Sequence, residues 1–468
     1  MSAGESHARH ALPPSPSTLD GYREMWRIAW PVSVSTSTHM LLMVANLFWI
    51  GRLGTYAVAA VSLTSHILFI TFGMTQIVFA GAVAIVARRT GEENPREAFA
   101  ASVHAVVLGT LLGVLVSILG WFVSEPIVSF FDVERAVSEV TIPYLQISFA
   151  GTAPFFLSMG IGASYQGTGN TRTPLALNAI IVAINIIIDP ILIFAPGELS
   201  LGGWDVGVAG LGVVGAAYAD IVATGLGCIF FILLWLSRYS PFPSHARGRV
   251  RVTLDGLWQI LRIGAPAGIT MLARPLSTFL LLKVIASFGT TALAAFGIVL
   301  RAFSLNFIPF AGLNASVATL VGQRLGGGSA HEAKRVVRRG FFAALGISIV
   351  LCSLYMIYAS PLISIFDSNP EVVATAIPFL MVIALGQLFT GSTMPLAAAM
   401  NGAGNTRPPM VAALFANWPV KLPLAYALAV PVGMGTRGIW LGMLVSMLTE
   451  TAILIFWFRR GRWTQTAV

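Results

Sequence analysis

The sequence predicts an all-α integral membrane protein, with twelve transmembrane helices in two pseudo-symmetric six-helix lobes. Composition is the first observation behind this. Across 468 residues, 56% are apolar, only 10% carry charge, and the mean hydropathy is +0.81. A soluble globular chain would be about 25% charged, so this chain has the bilayer as its solvent. The second observation is a series of apolar stretches, each long enough to cross a hydrocarbon core, which takes roughly 20 helical residues. The third is a duplication. Gly167-Thr168-Gly169-Asn170-Thr171-Arg172-Thr173-Pro174 returns as Gly402-Ala403-Gly404-Asn405-Thr406-Arg407-Pro408-Pro409. The same displacement of 235 residues links Pro31 to Pro266, Gly54 to Gly289, Arg89 to Arg324, Glu97 to Glu332, Pro126 to Pro361, Phe131-Asp132 to Phe366-Asp367 and Pro143 to Pro378. A row of matches at constant offset marks one unit used twice.

Residues 1–25 read as a polar N-terminal tail, with Pro13, Pro14 and Pro16 and no short apolar run before a cleavage site. The N-lobe, 26–237, holds spans at 26–50, 57–82, 97–123, 140–163, 173–196 and 207–237. A linker at 238–256, carrying Pro241, Pro243 and several arginines, reads as a solvated tether. The C-lobe, 257–458, holds spans at 257–285, 291–317, 335–358, 374–399, 409–432 and 436–458. Residues 459–468 form a C-terminal tail.

Basic residues set the orientation, because Lys and Arg are retained on the cytoplasmic side. In this arrangement 21 of them fall on the side of the two termini, against Arg52, Arg135 and Arg437 on the other. Both termini are therefore expected in the cytoplasm of a multi-pass plasma membrane protein, in bacteria the inner membrane. The two copies then lie the same way up about an axis along the membrane normal. The formal charge of +9 is accounted for by these short loops, so nucleic acid is not an expected partner. Cys228 and Cys352 sit inside apolar runs and read as small hydrophobes. No HExxH, DxD or Cys/His cluster occurs, so neither an enzyme nor a cofactor is expected. The expected partners are small-molecule substrates and the lipid bilayer, with the chain acting as a monomer.

Several of these features together resemble one family. The paired Gly-x-Gly-Asn-Thr-Arg-x-Pro, Ile50-Gly51-Arg52-Leu53-Gly54 closing the first span, Asp189-Pro190, Gly215-Ala216-Ala217 and Val321-Gly322-Gln323 are similar to motifs of the multidrug and toxic compound extrusion (MATE) transporters, over about 26–458. The resemblance implies the MATE fold, a V of two lobes rocking between inward-open and outward-open states. It also implies export of organic compounds in exchange for protons or sodium. Arg274 stands eight residues after Pro266, where the sodium-linked NorM-like branch carries a glutamate. The chain therefore resembles the DinF-like branch more closely, whose coupling site lies in the N-lobe.

Ionisable groups at membrane depth are functional candidates by default, since an ionised side chain there costs at least ~2.5 kcal/mol. Three acids qualify: Asp189, Asp220 and Glu450. Asn185 lies one turn before Asp189 and on the same face, and the resemblance implies that this Asn-x-x-x-Asp pair holds the coupling ion. It also implies roles for Tyr144 and for Asn46, where many relatives carry an aspartate. That carboxylate is missing here, and Asp220, at a position where relatives commonly have Thr, is expected to restore it. Two carboxylates in one low-dielectric pocket cannot both ionise cheaply. Asp189 and Asp220 are therefore expected to form a proton site, with Asn46 and Asn185 as partners. His39, seven residues before Asn46, is a candidate proton relay. The same oxygens could instead ligate sodium, which is the alternative coupling ion. Glu450 is expected to pair with Lys421, and His66 and His104 to be packing residues.

The expected function is secondary active efflux of lipophilic, cationic organic compounds by antiport with H⁺. Export of citrate-like anions is the alternative on this fold, given Arg274, Lys283, Arg301 and Lys421. A lipid-linked-precursor flippase is the reading from another class. Phe69, Met74, Phe155, Met159, Phe307 and Met394, with Arg274, are the candidate cargo contacts. Phe72 and Phe156 belong to the same aromatic stripe. A kink at Pro31 is expected beside the proton pocket, and Arg172 and Arg407 are expected to cap helix carbonyls.

Overall fold

A computed structural model describes residues 18–131, 133–201 and 204–466. Most of the predicted N-terminal tail, Asp132 of the repeated Phe-Asp pair and the last two residues of the C-terminal tail lie outside the described residues. The first half comprises α1 (Thr18–Gly51), α2 (Thr55–Gly91), α3 (Pro95–Phe130), α4 (Arg135–Ala150), α5 (Thr152–Gly167), α6 (Arg172–Ile193) and α7 (Val213–Leu236). The second comprises α8 (Leu254–Ala286), α9 (Thr290–Ser304), α10 (Phe307–Gly326), α11 (Ala330–Ile357), α12 (Ala359–Ser364), α13 (Pro370–Gly402), α14 (Arg407–Phe415), α15 (Leu422–Ala429) and α16 (Thr436–Arg459). Among the described residues, 11 helices can cross a membrane by length and composition, or 12 when the bent pair α9 and α10 counts as one span. Between α6 and α7, Ser200–Leu201 (β1) pairs antiparallel with Trp204–Asp205 (β2).

Each broken span has a proline within or just past the break. Pro154 cannot donate to the Ala150 carbonyl, and the chain parts there into α4 and α5. Side chains fill the gap: Thr152 and Ser117 both donate to the Phe149 carbonyl at 2.8 Å. The α9–α10 pair bends by 45° ahead of Pro309. In the eleventh span, Pro419 lies within a π-helical turn, Ala416–Lys421, that separates α14 from α15. At Pro31 the expected kink does not interrupt the helix, since α1 runs unbroken from Thr18 to Gly51.

Residues 18–25, predicted as tail, are the first two turns of α1. There Glu24 accepts two hydrogen bonds from Arg324, at 2.7 and 2.8 Å. The linker is more than a tether. Phe242 is buried and lies 5.5 Å from the Phe99 ring, and Arg247 donates to the Leu236 and Ser237 carbonyls at the end of α7. At the C-terminus Trp463 folds back, buried and stacked on Phe458.

The repeated octapeptide does the same work in both halves. Thr171 donates to the Ile28 carbonyl at 3.1 Å, and Thr406 donates to the Ile263 carbonyl at 2.6 Å. Gly169 and Gly404 turn the chain at φ of 87° and 78°, a conformation that glycine adopts without penalty. The arginines expected to cap carbonyls there are not what ties the turn to the first helix of each half. The threonine hydroxyls make that bond, and Arg172 lies over the Trp30 ring.

The two halves interlock at the end that carries both described termini. Met25 and Ile28 of α1 belong to a core otherwise built from α10, α11, α13, α14 and their neighbours. Ile260 and Ile263 of α8 belong to the core of the first half. Glycines let the backbones approach this closely. A methyl group at Gly264 would overlap the Ile77 carbonyl, one at Gly312 the Ala29 carbonyl, and one at Gly326 the Arg88 carbonyl. Gly264→Val is therefore expected to prise the halves apart at this end. The check is disulfide formation between cysteines placed at Glu24 and Arg324: its yield should fall severalfold, and an unchanged yield would mean that the seam tolerates the bulk.

Candidate functional site

Four helices of the first half, α1, α4, α6 and α7, meet at Asp189. This residue is 0% exposed near the end of α6. The Asn46 amide of α1, with its nitrogen toward the carboxylate, donates to Asp189 Oδ2 at 2.6 Å and to the Leu42 carbonyl at 3.3 Å. Asp189 Oδ1 is buried and has no hydrogen-bond partner among the described residues. Such an orphan is uncommon, because buried polar atoms are nearly always satisfied. Asn185, one turn earlier and also buried, donates to Asp220 Oδ1 of α7 at 2.6 Å. Its partner is thus Asp220, although it shares a helix face with Asp189. Asn46 also contacts Asp220. Tyr144 of α4 is buried close enough to both acids to feel their charge, and the two acids act on each other.

The structure therefore gathers Asp189, Asp220, Asn46, Asn185 and Tyr144 into one cluster. Each acid has an amide donor, and one carboxylate oxygen is left open. His39 stands apart. It is exposed on α1, and no hydrogen bond joins it to either carboxylate among the described residues. At the displacement of 235 residues its counterpart is Arg274, so the two halves present a basic side chain at equivalent places.

The candidate cargo residues divide. Phe69 and Phe307 are exposed, and Phe69 lies 6.3 Å from the Phe72 ring. Phe155 and Met159 are half-buried. Met74 and Met394 are half-buried and pack against the cores of the two halves. Phe156 is fully buried. Both cysteines are free and buried, as small apolar side chains would be.

In the second half the expected Glu450–Lys421 pair does not form. Glu450 is held by Arg274, which donates through Nη2 to Oε1 and through Nε to Oε2. Lys421 instead donates to Asn417 Oδ1 at 3.0 Å and to Thr278 Oγ1 at 3.1 Å. Asn417 bridges the two, because its Nδ2 reaches Glu450 Oε2 at 3.4 Å. Much of the Arg274 charge is thus already compensated, whereas Lys283 and Arg301 are exposed.

Sequence reasoning missed contacts that join the halves. His104, expected to be plain packing, accepts from the Thr253 N–H through Nε2 at 3.1 Å, and its Nδ1 lies 2.7 Å from the Ala100 carbonyl. Thr253 is the residue that caps α8. The His66 side chain lies outside the described residues. Gln323 donates to the Gly167 carbonyl at 2.8 Å, and Thr319 donates to the Gln166 carbonyl at 3.3 Å. The Val321-Gly322-Gln323 motif was the available signal for the first of these.

Comparison with known proteins follows the duplication. The sequence model of the MatE family matches residues 31–191 and 266–427, two blocks that open on Pro31 and Pro266. A curated relative, "Probable multidrug resistance protein NorM" of Thermotoga maritima, is 25% identical over 448 residues, 95% of this chain and 94% of that protein. "Probable multidrug resistance protein YoeA" of Bacillus subtilis is 25% identical over 450 residues, 96% of this chain and 95% of that one. Among solved structures, a MATE protein in complex with MaL6 superposes with a TM-score of 0.85 at 21% identity, over 95% of this chain and 98% of that chain. A MOP superfamily transporter from Pyrococcus furiosus superposes with a TM-score of 0.83 at 21% identity, over 95% and 97% of the two chains.

Proposed function

Because this chain belongs to the MatE family, we propose that it is a secondary active multidrug efflux transporter that expels lipophilic organic compounds in exchange for protons, with Asp189 and Asp220 as the coupling site. The names of its curated relatives, both described as probable multidrug resistance proteins, support the efflux part of this reading. The observation that carries the coupling part is the open Oδ1 of a fully buried Asp189 beside a second carboxylate. A proton placed there turns a bare acceptor into an O–H donor and removes one of two neighbouring negative charges.

The helix that senses this change also runs to the seam between the halves. Asn46 sits near one end of α1 and Glu24 near the other, about 33 Å apart at 1.5 Å per residue. A shift of α1 on protonation of Asp189 would load the Glu24–Arg324 pair and the Ala29–Gly312 contact. The seam would then open at the terminal end and close at the other. The basic loops support a cytoplasmic position for both termini at a plasma membrane, and the proposed coupling residues all come from one chain, so a monomer suffices for this reading. A driving force of ~150 mV is worth about 3.5 kcal/mol per proton, enough for a few hundredfold gradient of cargo.

Transport in vesicles under an imposed pH gradient or an imposed sodium gradient tests the reading. Efflux of a lipophilic cation should follow the pH gradient, and movement with sodium alone would transfer the same oxygens to a sodium site. Asp220→Thr should change the pH profile of that efflux. An unchanged profile would leave Asp220 as no more than a structural partner of Asn185.

A further inference from the structure

A second repeated phrase lies at the seam between the halves. Thr18-Leu19-Asp20-Gly21 opens α1, and Thr253-Leu254-Asp255-Gly256 returns at the same displacement of 235 residues where α8 begins. Each copy meets a basic residue of the opposite half, and those two residues are themselves counterparts at that displacement. A methyl group at Gly21 would overlap the Arg339 guanidinium of α11, and one at Gly256 would overlap the His104 imidazole of α3. The end that carries both described termini is thus fastened by two equivalent contacts that differ in one side chain.

The difference is chemical. Arginine is a permanent cation with donors only, whereas His104 is buried and bonded as a neutral ring. The Ala100 carbonyl, 2.7 Å away, can only accept, so Nδ1 carries the hydrogen. The Thr253 N–H, at 3.1 Å, can only donate, so Nε2 is bare. A second proton would turn that acceptor into a donor facing the Thr253 N–H, and would set a cation at the positive end of α8. Only the Thr253 hydroxyl, 3.3 Å from Nε2, could then accept, and it already accepts from the Gly256 N–H. Neighbouring charges do not intervene. Arg88 and Arg89 of α2 are paired with Glu92, Arg247 of the linker is bonded to carbonyls at the end of α7, and α5 carries no charge. That leaves Arg96 and Glu97 on α3, an exposed Asp255 and Arg262 on α8, and His245, Arg249 and Arg251 in the linker. None of these is hydrogen-bonded or ion-paired to His104 among the described residues.

We infer that His104 is a proton-operated latch of this seam: neutral, it binds the start of α8 to α3, and charged, it lets go while the Arg339 contact remains. Acid on the side of the termini then favours the form that opens to that side. The consequence for export rests on the transport reading, since that is the side from which cargo would enter, but the latch itself does not.

Spin labels at Arg96→Cys and His331→Cys, exposed counterparts at the starts of α3 and α11, read how far the halves part at this end. The full chain is measured in liposomes with Cys228→Ala and Cys352→Ala, and with Asp189→Asn and Asp220→Asn so that the proposed coupling acids cannot titrate. Between about pH 8 and pH 5, where imidazole takes its charge, the ratio of parted to closed forms should rise about tenfold, the scale of one unmade hydrogen bond. His104→Gln keeps an acceptor without a titrating ring and should stay closed throughout. His104→Met offers no acceptor and should be equally parted at both ends of the range. No change with pH in the protein that keeps His104, or a change that survives in either variant, would overturn the latch.

Discussion

Asp189→Asn should abolish proton-driven efflux while leaving the protein folded. The substitution keeps the shape of the side chain, and an amide oxygen can still accept from Asn46, so the packing of α1 on α6 is retained. What is lost is the capacity to take up and release a proton at Oδ1. A pH gradient that sustains a few hundredfold cargo gradient through the wild-type protein should then sustain none, a change of about 3.5 kcal/mol in usable driving force. The measurement is efflux from proteoliposomes under an imposed pH gradient, alongside elution as a single monodisperse peak in detergent. Efflux retained at wild-type level would remove Asp189 from the coupling site.

Glu450→Gln should cost about 3 kcal/mol of stability. Removing one partner of a buried ion pair leaves the other uncompensated, and such losses run to about 3–5 kcal/mol. The lower end applies because the Arg274 side chain remains 44% exposed and can be partly solvated. Here the change also leaves Lys421 without the carboxylate that Asn417 links to it. Thermal unfolding in detergent should show a clear drop for Glu450→Gln. A much smaller drop is expected for Arg274→Met combined with Glu450→Met, because no bare charge remains. A single variant as stable as the wild type would mean that the pair does not hold α8 to α16.

These two predictions differ in how far they could be read from residues alone. Asp189 was legible because an acid inside an apolar run is costly wherever the run ends up. Its partners were legible only in part. Asn185 shares its helix face, but it bonds to Asp220 on another helix. The choice of Arg274 over Lys421 by Glu450 was not legible at all. Those residues are 176 positions apart, and the angle at which α8 and α16 pass each other selects the pair. The repeated octapeptide shows the same limit at short range. Its recurrence announced a shared job, but the bond is made by Thr171 and Thr406, and only the neighbouring helix reveals the accepting carbonyls of Ile28 and Ile263.

What the sequence by itself determined is the bilayer as solvent and the doubled unit; its prolines mark where a span can break, but unbroken α1 at Pro31 shows that they do not fix where it does. Hydropathy, periodicity and proline chemistry act locally and survive any arrangement of the helices. Only the tertiary structure decided which amide serves which acid, which cation Glu450 neutralises and where the halves lock. A polar group in a membrane interior takes whichever partner helix packing brings within about 3 Å, and that selection belongs to the crossing of helices far apart in the chain.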